Sequence, residues 1–377
     1  MRFNELFDFE KFNYKWDIIE TIPEFAVLKT CEQNPKWHSE GNCMKHVQLV
    51  CQEAIKYCQN LDPSCTFIPY YLCAALFHDI GKGVTTEFKK GNWHAYGHEV
   101  AGEKITRRLL WDEDIEFRET ICSLVRWHME PLNLIKSSHL YEKLIDLSMK
   151  VNLHLLFIVK KFDVWGSKPE DEKQTFYDNV CLEYLSSVAD SLNLLYGTSD
   201  VHSYTVPNKE HLNKPLIYCH IMMGISGAGK STQVEKIIEK FNTHNKSIDD
   251  VGIVVVSRDI ARVALGYCSS SEKYLGTKEE ENMVTAYCNE VIRDSAEKGR
   301  DIIIDDMNLK KKYRDNIKTL LKDYYVKYIY HYVETNSLKT NIERRKGQVS
   351  AEAIKNMIDS IEWPSADEYS LLKIYNN

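Results

Sequence analysis

The apolar positions of this chain change their period about half-way along it. In the first half they recur every three or four residues. In "MKHVQLVCQEAIKYC", Met44, Val47, Cys51, Ala54, Ile55 and Cys58 fall on one face of a helix. Similar stripes cover 98–111, 117–128, 138–163 and 171–196, parted by short polar or turn-like segments, with no clear strand pattern among them. Further on, the apolar residues come in short blocks rich in β-branched and aromatic side chains. These are "LIYCHIMMG" (216–224), "VGIVVVS" (251–257), "DIIID" (301–305) and "VKYIYHYV" (326–333), with amphipathic stretches between them. Strands alternating with helices predict βαβ crossovers and a parallel sheet covered on both faces. The stretch between the halves, "YGTSDVHSYTVPNKEHLNKP" (196–215), is mostly polar and carries Gly197, Pro207 and Pro215. The expected organisation is an all-α domain over 1–197, a linker over 198–215 and an α/β domain with a parallel sheet over 216–377.

Composition narrows this picture. The chain has 377 residues, 44% hydrophobic and 27% charged, which is enough apolar material for two cores. The opening "MRFNELFDFEKFNYKWD" is broken by charges and holds no signal-type apolar run, and no later run is long enough to span a bilayer. A cytoplasmic protein with no membrane partner is expected. The eleven cysteines form no CxxC pair, so they read as reduced thiols, with Cys51, Cys73 and Cys122 in the core. The net charge of −7 builds in no global attraction to nucleic acid. Only "NLKKKYR" (308–314) and "IERRKG" (342–347) offer local basic clusters, and each taken alone reads as a solvated helix face.

The stretch "GISGAGKST" follows the first strand block and opens a helix. It fits G-x-x-x-x-G-K-[ST] with Gly224, Gly229, Lys230 and Ser231, the pattern that wraps backbone N–H groups around an NTP phosphate. Gly224, Ser226, Gly227, Gly229, Lys230, Ser231 and Thr232 are the expected NTP contacts, with Lys230 on the β/γ charge and Ser231 on Mg²⁺. After the second strand block comes "SRDIAR" (257–262), with Asp259 and Arg262 one turn apart. A carboxylate at that sheet edge can take the proton of an attacking hydroxyl, and the arginine can grip an anionic neighbour. Asp306 and Asn308 in "DDMN" (305–308) reach the same edge, and Arg344 or Arg345 can close over the transferring phosphoryl. This half, over roughly 216–360, resembles the phage-type polynucleotide 5′-hydroxyl kinases. The resemblance implies Asp259 as general base, Arg262 on the 3′-phosphate of the acceptor, Asp306 and Asn308 as the next motif, and Arg344 or Arg345 as the lid arginine.

In the helical half, "AALFHDIGKG" (74–83) ends a greasy helix on His78 and Asp79, with Gly81 expected to let the chain turn away. His46, His98, His128 and Asp163 lie on or beside other apolar faces. A buried carboxylate needs a partner, and imidazoles and carboxylates from several helices are explained together as ligands of one or two divalent metals such as Mn²⁺. His38 and His94 are expected beside the ligands or in contact with substrate. The pattern resembles the HD-domain metal-dependent phosphohydrolases, and "MKHV" and "HAYGHEVAG" look like the HD domain of bacterial CCA-adding enzymes. That resemblance implies His46, His78, Asp79 and Asp163 as the core ligands, with His98 and His128 serving a second metal.

Together the halves resemble bifunctional end-healing enzymes. The implied activities are removal of a 2′,3′-cyclic, 2′- or 3′-phosphate from one RNA or DNA end and NTP-dependent phosphorylation of a 5′-hydroxyl on the other, leaving ends for a separate ligase. Two alternatives stay open: a small-nucleoside or metabolite kinase joined to an HD nucleotidase, and an NTP-driven regulator joined to a hydrolase of a signalling nucleotide.

Overall fold

The computed structural model describes residues 1–171, 173–195, 215–244, 252–268, 276–335, 337–346 and 349–377. Apart from Pro215, the expected linker lies outside the described residues. The chain divides into two compact units, Met1–Asp200 and Val201–Asn377.

The first unit is built on α1 (Cys43–Cys58), α2 (Ile68–Phe77), α3 (His98–Leu109), α4 (Ile115–Trp127), α5 (Leu140–Ser148), α6 (Leu153–Gly166) and α7 (Lys173–Ser191). Polar side chains start several of these helices by accepting from first-turn N–H groups. Asn42 takes Lys45 N before α1, Asp114 takes Glu116 N and Phe117 N before α4, and Asn152 takes Leu155 N before α6. Asn152 also explains why the single stripe expected over 138–163 is two helices: its cap starts α6 afresh. α2 is the central helix. Leu72, Cys73, Ala74, Ala75, Leu76 and Phe77 are all fully buried, so its apolar character runs round every face.

Two short antiparallel hairpins, unexpected from the sequence, accompany the helices: β1 (Phe7–Asp8) with β2 (Asn13–Tyr14), and β3 (Glu87–Lys89) with β4 (Asn92–His94). The second turns on Lys90 and Gly91 at φ +52° and +80°, the double positive φ whose twist matches that of a hairpin. Gly81 also departs from expectation. Its φ is −69°, an ordinary value, so it turns nothing by handedness. A Cβ there would lie 2.0 Å from the His98 carbonyl oxygen and 2.5 Å from Gly102 N. Glycine is needed because α3 passes too close for any side chain.

In the second unit, β5 (Leu216–Met223), β6 (Ile253–Val256), β7 (Asp301–Ile304), β8 (Tyr325–Glu334) and β9 (Leu371–Asn376) pair in parallel in the order β6-β7-β5-β8-β9. Between them run α8 (Lys230–His244), α9 (Arg258–Ala264), α10 (Lys278–Glu297), α11 (Lys311–Leu320), α12 (Leu338–Arg344) and α13 (Ala351–Asp359). Central β5 buries Ile217, Cys219, Ile221, Met222 and Met223 almost completely, as a strand covered on both faces must. The edge strand β9 was not expected, since "LLKIYN" is short and half-exposed. One basic stretch is also corrected: Arg314 is fully buried, its Nε 2.8 Å from Glu368 Oε2, and cannot meet a phosphodiester.

Candidate metal centre and phosphate-loop site

Five helices of the first unit converge on one polar point. α1 carries His46, α2 is followed at once by His78 and Asp79, α3 starts at His98, α4 is followed by His128, and α6 carries Asp163. All six side chains are buried. The Nδ1 atoms of His78, His98 and His128 face the carbonyl oxygens of Ala75, Ala95 and Val125 at 2.9, 2.8 and 2.7 Å. His46 Nδ1 faces Glu40 Oε1 at 2.9 Å. A carbonyl or carboxylate oxygen only accepts, so each Nδ1 carries a proton and donates it, and each ring turns its Nε2 inward.

The Nε2 atoms converge. His46 and His78 approach Nε2 to Nε2 at 3.3 Å, and His98 and His128 at 3.2 Å. His46 Nε2 also lies 3.1 Å from Asp163 Oδ1, so imidazole nitrogens and carboxylate oxygens gather at one point. Among the described residues two fully buried groups could hold a metal ion, His46, His78 and Asp163, and Asp79, His98 and His128; a third group, His38, Glu40 and His46, is less buried. Asp79 belongs to both neighbourhoods. Its Oδ2 lies 3.5 and 3.3 Å from the Nε2 atoms of His46 and His78, and its Oδ1 lies 3.4 and 3.7 Å from those of His98 and His128. Mixed imidazole and carboxylate donors fit first-row divalent ions. An ion held there would polarise a phosphoryl oxygen and acidify water.

The surrounding charges are balanced within the protein. Burial alone pushes the Asp79 carboxyl up, but Lys82 and then His78 overcome it and hold it well below the usual carboxylate range. Lys82 Nζ sits 2.7 Å from Asp79 Oδ2. Burial acts the same way on Asp163, where Lys160, 2.5 Å away, and His46 win. Burial disfavours a charged His46, yet Asp163 and Glu40 raise it to about 8. Burial, with His98 beside it, holds His128 well below its ordinary value. His38 stands one step outside: Glu40 Oε1 accepts from His38 Nδ1 at 2.8 Å, and burial lowers His38 to about 4. His94 is in neither ligand group. It lines, with His38, Asp79, His98 and Asp163, a cavity of about 660 Å³ opening from the centre.

In the second unit the loop after β5 turns at Gly224, where φ is +146° and a Cβ would lie 2.3 Å from the Val333 carbonyl oxygen. Lys230, first in α8, donates to the carbonyls of Gly224 and Ile225 at 3.0 and 3.1 Å. The Ser231 hydroxyl donates to Asp305 Oδ2 at 3.2 Å. A cavity of about 810 Å³ is lined by Ser226, Gly227, Gly229, Lys230, Ser231 and Thr232, and by Asp259, Arg262, Asp306, Arg344 and Arg345. Asp259 is 91% exposed at its side chain, and Arg262 Nη1 lies 2.6 Å from its Oδ1. Arg262 also donates through Nε to Glu281 Oε1 at 2.9 Å. Arg344 reaches the Gly227 carbonyl at 3.1 Å, while Arg345 stands exposed on the same cavity. Burial lowers Lys230 to about 8, against the pull of Asp305 and Asp306.

Residues 46–164 match the HD domain family, and residues 219–364 match an AAA domain family. The helical unit carries an HD domain, followed by an α/β domain of P-loop kinase-like fold. The chain is 32% identical over 154 residues to the "Multifunctional CCA protein" of Pasteurella multocida, a stretch covering 40% of this chain and 31% of that relative's length. The chain therefore spans less than a third of the curated relative it matches. Among solved structures, Chaetomium thermophilum Kti12 in complex with ADP-AlF3 is similar at 14% identity, covering 41% of this chain and 87% of that one, with a TM-score of 0.31. A putative kinase from Chloroflexus aurantiacus covers 44% of this chain and 86% of its own at 11% identity and TM-score 0.32. A gluconokinase from Sinorhizobium meliloti covers 42% and 82% at 17% identity and TM-score 0.28. Similarity at these scores bears on neither substrate nor partner.

Sequence reasoning did not find several residues of these sites. In the HD centre, Glu40, Lys82 and Lys160 fix His46, Asp79 and Asp163. The i,i+3 spacing of Lys82 from Asp79 and of Lys160 from Asp163 was the available signal. In the P-loop unit, Asp305 rather than Asp306 faces Ser231, and Glu281 holds Arg262 from a helix far along the chain. Asn308, expected at the acceptor, is turned inward. It is 6% exposed at φ +44°, and its amide donates to the Met222 carbonyl at 2.8 Å, tying the loop after β7 to the end of β5. That buried bond makes Asn308 a prop for the loop. Among the described residues no helix is long and apolar enough to cross a membrane.

Proposed function

We propose that the chain heals broken nucleic-acid ends. The HD unit removes a 2′,3′-cyclic, 2′- or 3′-phosphate, and the P-loop unit phosphorylates a 5′-hydroxyl. One observation carries the kinase reading: an exposed carboxylate, Asp259, lines the same cavity as Lys230 and Ser231, with Arg262 one turn on. An NTP on the loop, with Mg²⁺ near Ser231 and Asp305, presents its γ-phosphoryl to a hydroxyl whose proton Asp259 accepts. Arg262 then holds the neighbouring phosphate, and Arg344 and Arg345 neutralise charge on the transferring group. In the HD unit Lys82 and Lys160 sit at Asp79 and Asp163, so a divalent ion held by those carboxylates would leave both ammonium groups beside the substrate phosphate.

A second reading is a kinase of a small nucleoside or metabolite joined to an HD nucleotidase. The comparisons reach an HD domain and a P-loop kinase-like fold without specifying an acceptor, and they fit this plainer reading more closely than the first. The Glu281–Arg262 pair also favours it, because a phosphate-bearing acceptor has to displace that carboxylate. Labelled ATP offered with a 5′-hydroxyl oligoribonucleotide or a free nucleoside decides between them. Label on the oligomer alone supports end healing, and label on the nucleoside alone replaces it.

A further inference from the structure

The cavity that opens from the HD centre has an aromatic wall. Trp37, Trp93 and Tyr96 line it together with Asp79, His98 and Asp163. Trp37 is 45% and Tyr96 74% exposed, and Trp93 is half-buried, so none of them fills a core. Their neighbours hold them in place. Trp93 lies on β4 opposite Phe88 of β3, with ring centroids 5.0 Å apart. Tyr96 stacks on His94 at 5.1 Å and 11°. Lys36 Nζ sits 4.8 Å over the Trp37 ring. The volume of about 660 Å³ falls within the ~300–1,000 Å³ of small-molecule pockets.

Flat, exposed rings at the mouth of a phosphate-directed metal centre suit a ligand with a flat π-face joined to a phosphate. A nucleobase has that form, and stacking on aromatic side chains accepts any base. The charge of the mouth limits the ligand's length. Glu32, Glu99, Glu130 and Asp178 also line the cavity, and its lysines, Lys82 and Lys160, are paired with Asp79 and Asp163, so the lining offers no basic track for a long phosphodiester.

We propose that Trp37, Trp93 and Tyr96 form a base-stacking subsite that selects nucleoside phosphate esters, one terminal nucleotide at a time, over other phosphate esters. The inference rests on the phosphohydrolase reading of the HD unit and is independent of the kinase reading. The rings lie outside both ligand groups and act on substrate binding.

The test uses the full-length chain loaded with Mn²⁺. Wild type, Trp37→Ala, Tyr96→Ala and Tyr96→Phe are each assayed on three substrates: a nucleoside 3′-phosphate, an oligoribonucleotide ending in the same phosphate, and glycerol 2-phosphate, which has no ring. Released inorganic phosphate is the readout. Each alanine variant is expected to raise KM about tenfold for both nucleotide substrates, with kcat and glycerol 2-phosphate turnover unchanged. Tyr96→Phe, which keeps its ring, is expected to behave as wild type. With metal chelated, calorimetric binding of the nucleoside 3′-phosphate is expected to weaken by the same factor in Trp37→Ala. Equal losses on all three substrates make the rings structural and overturn the proposal. So do unchanged nucleotide KM values, or a shift confined to the oligomer. A wild type that cleaves none of the three removes the phosphohydrolase reading itself, and the subsite with it.

Discussion

The two candidate sites of this chain are built on opposite plans. In the HD centre six side chains are buried, each imidazole is oriented through its Nδ1–H, and both carboxylates meet lysines. In the P-loop cavity the expected base Asp259 is 91% exposed, and Arg344 and Arg345 stand in solvent at the rim. The first site is fixed by buried hydrogen bonds, whereas the second holds several of its charges at the surface. Burial makes each charge of the HD centre depend on its neighbours. Exposure lets the P-loop residues be changed one at a time.

The largest effect belongs to Asp79. Asp79→Ala removes a carboxylate that lies beside both groups and leaves Lys82 buried without its anion. Phosphohydrolase activity is expected to fall to background. Thermal melting in chelator is expected to show a destabilised helical unit, since breaking a buried pair costs about 3–5 kcal/mol. ATP-dependent phosphorylation should persist in the folded variant, and its loss there would break the separation of the sites. The reciprocal change, Lys230→Ala, is expected to lower phosphorylation by roughly 10²–10³-fold, the usual cost of removing one charge-stabilising group. Phosphate release by the HD unit should be unaltered.

The same contrast explains what the sequence made legible. The ligand residues could be read because each sits at a helix end or on an apolar face, where an imidazole or carboxylate needs a reason. The phosphate loop could be read because its backbone path dictates glycines at fixed spacing. Glu40 was hidden in an irregular segment, and its role depends on α1 passing beside it, a contact that no local period encodes. Glu281 holds Arg262 from nineteen residues away, and Asn308 turns inward because of a carbonyl on another strand. β3 and β4 were missed because a three-residue strand shows too little alternation. Pairing, rather than pattern, makes such strands.

Smaller effects sharpen the comparison. Glu40→Gln keeps an acceptor for His46 but loses the charge, and metal affinity is expected to drop about 10–100-fold in a Mn²⁺ titration. A shift of that size marks a centre tuned from outside its ligands. In the P-loop unit, Arg262→Ala is expected to raise the KM of the acceptor about tenfold while leaving the Kd of ATP unchanged. If ATP binding weakens instead, Arg262 belongs to the nucleotide. Glu281→Gln removes one negative charge held against the guanidinium and is expected to lower acceptor KM a few-fold, which an end bearing a 3′-phosphate should reveal more strongly than a nucleoside.

The smallest effect is one of pH. Lys230 is lowered to about 8, chiefly by burial, so in the free protein it is a cation below that pH and increasingly a neutral amine above it. Its folded value lies below the ordinary ~10.5 of lysine, so keeping it charged in the fold costs stability at low pH. That cost fades as pH rises from about 8 toward 10.5. The β- and γ-phosphates of ATP favour the cation. Well below pH 8 they meet a charge already present, and binding draws almost no proton onto the amine. Between pH 8 and 10 they draw a proton onto the amine, so affinity falls as pH rises and each bound nucleotide takes up part of a proton. Calorimetry in two buffers of different ionisation enthalpy measures that uptake directly. Lys230→Arg should abolish it, because a guanidinium stays charged throughout. Proton-neutral binding by the wild type across the whole window would mean that the loop keeps Lys230 ionised before ATP arrives. The P-loop site would then fix this charge as firmly as the HD centre fixes its own, and the contrast between the two would vanish.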